Sequence, residues 1–94
     1  MQVNLITISN SRRGNGSSWF WATVVEPGGK TWTRDIQCLY SNGGHDWGHI
    51  AAMAMHIAVS DTPAHRGFVI VGPSEMMKMI PAQFHSHKPD LTRR

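Results

Sequence analysis

Apolar and polar positions alternate over the first part of the chain with the two-residue period of a sheet. Gln2 to Asn10 (QVNLITISN) carries Val3, Leu5, Ile6 and Ile8 among β-formers and predicts a first strand. Ser11 to Ser18 (SRRGNGSS) is a turn, with Gly14-Asn15-Gly16 supplying residues that accept positive φ. Trp19 to Val25 (WFWATVV) is the second strand and the most apolar stretch. Glu26 to Lys30 (EPGGK) is a second hairpin turn, and Thr31 to Tyr40 (TWTRDIQCLY) a third strand with alternating character. Three antiparallel strands in a meander is the economical assembly.

Ser41-Asn42-Gly43-Gly44 breaks this pattern, and from His45 the period becomes helical. Ile50, Ala54, Ile57 and Ala58 fall on one stripe, with Trp47, Ala51 and Met53 nearby. Asp61-Thr62-Pro63 ends the helix, because a proline pushes the residue before it out of the helical region. Arg66 to Gly72 (RGFVIVG) holds a short continuous apolar run, as expected of a buried strand parallel to a neighbour. Pro73-Ser74-Glu75 opens a second short helix that Pro81 stops after Ile80. Residues 1–80 thus read as one α/β domain, and 81–94 as a polar tail whose large apolar side chains are Phe84 and Leu91.

Composition narrows the class without naming a function. Ninety-four residues, 40% hydrophobic and 16% charged, describe one globular domain with a small core. The single cysteine, Cys38, excludes an internal disulfide and a four-thiolate zinc site, and a reducing, cytoplasmic setting is the simplest expectation. No apolar run approaches the roughly 20 residues of a membrane span, and the N-terminus lacks a signal-peptide layout. The net charge of +3 comes from scattered Lys and Arg, with only Arg12-Arg13 and Arg93-Arg94 adjacent. That is ordinary solubilising charge more than a nucleic-acid stripe.

The order β-β-β-α-β-α, a meander followed by a helix crossing to a strand parallel to the first, resembles the ribonuclease H-like superfamily. In that family the first strand ends in an aspartate, where this chain has Ile8-Ser9-Asn10-Ser11. The first helix carries a glutamate, where this chain has Trp47-Gly48-His49-Ile50-Ala51-Ala52, and the fourth strand ends in an aspartate, where it has Val71-Gly72-Pro73-Ser74. The resemblance spans residues 3–80 and implies a reduced member of the fold with its metal-binding acids replaced by Ser9, Gly48 and Gly72. Two-metal hydrolysis needs carboxylate oxygens to hold ions about 3.5–4 Å apart. Serine and glycine cannot do so. The nearest acids do not substitute: Asp46 lies two positions from Gly48, about 200° around a helix, and Glu75 lies beyond the strand. No catalytic residue is expected.

Other constellations add little chemistry. His45, His49 and His56 share a helical face, and His85-Ser86-His87 adds a pair, but no cysteine or well-placed acid completes a zinc set. Neither a metal nor another cofactor is expected. Glycine pairs at 28–29 and 43–44 lack the context of a phosphate loop, and no nucleophile stands out.

One structural expectation points to a role. The second strand is apolar on both sides, with Trp19, Trp21 and Val25 on one and Phe20, Ala22 and Val24 on the other. The chain supplies helix enough for one sheet face. The other face then needs a protein partner, a second copy, or the tail through Phe84 and Leu91. The expectation is a non-catalytic protein-binding module, an inhibitor or modulator of a host or viral complex, with Trp19, Trp21 and Trp32 as partner-binding residues. The alternative is a non-catalytic nucleic-acid binder using Arg12, Arg13 and Arg34 beside the exposed aromatics.

Overall fold

The antiparallel ladders of the meander are continuous from end to end. In the computed structural model, which describes residues 3–11, 17–41, 44–62 and 67–87, β1 (Asn4–Ser11) pairs with β2 (Ser17–Val25) from Leu5↔Val25 to Ser11↔Trp19. β2 pairs in turn with β3 (Thr31–Ser41) from Ser17↔Leu39 to Val25↔Thr31. The β2–β3 turn closes with Glu26 N–H donating to Lys30 and Gly29 N–H to Glu26, and Gly29 takes φ 99°, a conformation that favours glycine. A two-residue strand, β4 (Gly44–His45), folds back on the end of β3 through Tyr40↔His45 and Ser41↔Gly44.

Asp46 starts the crossover helix α1 (Trp47–His56), its carboxylate accepting the His49 N–H at 3.1 Å. The sequence places the helix start at His45, and the cap moves it two residues on, because an aspartate side chain satisfies an amide left free by the first turn. The last turn widens into a π-helical segment over Ile57–Asp61. Thr62 then turns extended (φ −111°, ψ 165°), as the following Pro63 requires, and its hydroxyl donates back to the Ala58 carbonyl.

The crossover delivers β5 (Phe68–Val71) alongside β1, parallel, from Asn4↔Phe68 to Thr7↔Val71. Buried Asn4 ties this junction, its backbone N–H and its side-chain amide both donating to Gly67 O at 3.0 and 2.8 Å. After α2 (Ser74–Lys78) the chain does not leave the domain. A 3-10 turn at Ala82–Phe84 leads to β6 (Ser86–His87), which pairs antiparallel with β5 through Phe68↔His87 and Val69↔Ser86. Within the segment read from sequence as tail, Ser86–His87 therefore extend the sheet; Leu91 lies outside the described residues. The sheet order is β4-β3-β2-β1-β5-β6. The α/β architecture, with its meander, crossover helix, strand parallel to the first and short second helix, is as the sequence predicts.

Both helices lie on one face. Ile6 and Ile8 of β1, Phe20, Ala22 and Val24 of β2, Ile36 of β3 and Phe68 and Ile70 of β5 point toward them. They meet Ile50, Ala51, Ala54, Ile57 and Ala58 from the α1 segment and Met76 and Ile80 from around α2. Trp47 closes the rim, its ring edge-on to Phe20 with centroids 5.6 Å apart. Each large side chain removed from water here contributes about 1.5–3 kcal/mol. This single layer of apolar contacts holds the fold.

Candidate interaction face

The second sheet face follows from the same alternation. In β2 Phe20, Ala22 and Val24 are fully buried, whereas Trp19, Trp21, Thr23 and Val25 are half-buried and point the other way. Residues directly opposite in a ladder share a face. The register therefore sets Ser9 and Asp35 on either side of Trp21, Gln37 beside Trp19, and Leu5 and Thr31 beside Val25. On β1, Leu5 and Thr7 are flanked in turn by Val69 and Val71 of β5. Val71 is 48% exposed. No described helix covers this face, and it mixes apolar side chains in its centre with polar ones along β3.

Trp32 does not belong to it. It sits opposite Val24, on the helix side, and packs half-buried against the core margin. Its indole N–H donates to Glu26 Oε2 at 2.8 Å. Arg34, opposite Ala22, lies on that side too, with its guanidinium carbon 5.4 Å from the Trp32 ring centroid and an ion pair to Asp61 at the end of the π-helical turn. The structure thus separates the three tryptophans singled out in the sequence into a pair and a lone member. It also puts Arg34 on the opposite face from that pair. Arg12 and Arg13 lie outside the described residues.

The three positions that the ribonuclease H resemblance equates with metal ligands do not converge. Ser9 points to the second face beside Trp21, while Gly48 lies on α1 over the first. The β1 side chain that approaches Gly72 is that of Ile8. A β-carbon at Gly72 would lie 3.1 Å from Ile8 Cβ and 2.6 Å from the Met76 methyl, and one at Gly48 would meet Met79 Cε at 3.5 Å and Asp46 Oδ1 at 3.6 Å. Aliphatic and thioether groups fill the space at Gly72. Asp46 is committed to its helix cap, and Glu75 is exposed beside Ser74.

The described histidine side chains are equally dispersed. His49 and His56 are exposed, with His56 Nε2 4.0 Å from the Asp61 carboxylate. The His85 ring nitrogen Nε2 sits 3.0 Å from the Met77 carbonyl and 2.8 Å from that of Ile80, bracing the end of α2. The His87 ring tilts against Phe68 at 5.9 Å. Among the described residues no three His, Cys, Asp or Glu side chains come together as a metal site. Nor is any described helix long and apolar enough to cross a membrane. No protein-family model, curated protein or solved structure matches the chain.

Sequence reasoning missed the side taken by Trp32, although a signal was present. In β3 the apolar residues Trp32 and Ile36 alternate with polar Thr31, Thr33, Asp35 and Gln37, which places both apolar side chains on the core side.

Proposed function

We propose that the protein is a non-catalytic binding module that docks another protein on the second sheet face, with Trp19 and Trp21 at the centre of contact. The observation that carries this reading is the asymmetry of β2. Phe20, Ala22 and Val24 are fully buried on the side that packs against the helices, whereas Trp19 and Trp21 on the reverse side are only half-buried. Tryptophan is enriched where binding energy concentrates, because it brings a large apolar area with few rotatable bonds. An apolar centre with a polar margin along β3 is the usual make-up of a protein contact. A reduced ribonuclease H-like domain without its acids is part of the same reading, and inhibition or modulation of a larger assembly is the mode of action it suggests.

Binding to nucleic acid has less in its favour, since Arg34 is engaged by Asp61 on the reverse face from Trp19 and Trp21. The test is affinity capture from an extract of the source organism with the wild-type chain and Trp21→Thr side by side. The captured protein is then purified and titrated against both. Wild-type binding that weakens at least tenfold in the variant and changes little with salt is the expected result. Equal binding by both chains, or a steep salt-dependent affinity for oligonucleotides, would overturn the reading.

A further inference from the structure

We propose that two copies of the chain join edge to edge through β3, antiparallel about a two-fold axis at Thr33. This goes beyond the proposed docking face, since it uses the hydrogen-bonding edge of the sheet and not its surface. Among the described residues β3 is the longest strand, and its outer side is paired only at Tyr40 and Ser41, by β4. The hairpin geometry fixes which residues look outward. Glu26 N–H bonds to Lys30 O, so Lys30 faces β2, and by alternation Trp32, Arg34 and Ile36 do too. Thr31, Thr33, Asp35 and Gln37 consequently turn their backbone N–H and C=O groups to the edge, where no described residue meets them.

Proteins that leave a long edge exposed ordinarily guard it with proline, lysine or a bulge. Thr31 to Gln37 contains neither proline nor lysine, its charges are Arg34 and Asp35, and the β2–β3 register runs through it without interruption. At the other margin β6 covers Phe68 and Val69. The edge of β3 is regular, and its two charges are of opposite sign.

A second copy fits this edge because the strand complements itself. With Thr33 opposite its own counterpart, Trp32 faces Arg34 of the other copy and Thr31 faces Asp35. The first pair sets a cation beside an indole, and the second a hydroxyl beside a carboxylate. Registers centred on Arg34 or Asp35 set like charges directly opposite. One centred on Ile36 forgoes both favourable pairs. The axis stands perpendicular to the sheet, so both helical layers fall on one side and both Trp19–Trp21 surfaces on the other.

Size-exclusion chromatography with light scattering on the full chain tests this directly. The expected mass is twice the 10.5 kDa of one chain, falling toward one chain on dilution. Thr33→Pro removes a donor that the β2–β3 ladder does not use, and Thr33→Lys places a guarding charge on the edge. Both should run as monomers with unchanged far-ultraviolet circular dichroism, and the lysine variant keeps the test open if proline disturbs the strand. In a Cys38→Ser background, Thr33→Cys should form a disulfide between copies on mild oxidation, because hydrogen-bonded antiparallel partners sit about 5.5 Å apart at Cα, within disulfide range. A wild-type chain that stays monomeric when concentrated would overturn the proposal. So would a dimer that persists in folded Thr33→Lys but dissociates in Trp21→Thr, a result that leaves the docking face standing.

Discussion

Gly72 and Met76 are packed so closely that a side chain at the glycine must displace the methionine: a β-carbon there would lie 2.6 Å from the Met76 methyl. Met76 is fully buried, and Ile8 closes the same space from β1. Gly72→Ala should therefore destabilise the domain by about 1–3 kcal/mol, the usual cost of overpacking. Gly72→Asp, which would restore the acid of the resembled family, should cost more, since its carboxylate would enter an apolar space. Urea unfolding followed by tryptophan fluorescence measures both. Combining Gly72→Ala with Met76→Ala should cost less than the sum of the two single changes.

The two sides of β2 should respond differently to truncation. Phe20→Ala opens a cavity under α1 and removes the partner of Trp47, and should cost about 3–5 kcal/mol. Trp21→Thr keeps a good strand former at a half-buried position, and should cost about 1–2 kcal/mol. Thermal unfolding of the two variants beside wild type gives the comparison. Equal losses would mean that something buries the tryptophan face as fully as the helices bury the other.

Asp46 holds the first turn of α1 through its bond to the His49 amide. Asp46→Ala should lower stability by about 1 kcal/mol, and Asp46→Asn, which keeps an accepting oxygen, by much less. Denaturant midpoints decide this, and a matching loss in both variants would assign the effect to charge and not to capping.

Arg34 and Asp61 link β3 to the π-helical turn, with Trp32 beneath the guanidinium. The arginine is 42% exposed, so water and salt weaken the pair. Breaking it with Arg34→Ala should cost at most about 1 kcal/mol at low salt, and less at high salt. A double-mutant cycle with Asp61→Ala at two salt concentrations separates the ion pair from the loss of stacking on Trp32.

Periodicity in the sequence carries β1 to β3 and α1, while β5 is legible as a short continuous apolar run and α2 from the prolines at 73 and 81 that bracket it. β4 and β6 have two residues each, too few for any repeat, and they exist because a neighbouring strand offers hydrogen bonds. The candidate site was legible in one respect, the two-sided apolar character of β2. Trp32 was misplaced because composition groups tryptophans together while register divides them. Ser9 shows the same effect: Ile6 and Ile8 alternate onto the helix side, which sends Ser9 to the other. Spacing along the chain brought it near Gly72, but the pleat turned it away.

The bond from Asn4 to Gly67 spans 63 positions of sequence. Both hairpins of the meander can close over short loops, but β1 cannot gain its parallel neighbour until the whole crossover has folded onto the sheet. Contacts so distant in sequence carry a large closure entropy and tend to form late. Refolding should therefore pass through a barrier in which β1–β3 are ordered and β5 is still arriving. Damage at Asn4 or Gly67 would then show itself mainly as faster unfolding, while damage at the β2–β3 turn would slow the refolding arm.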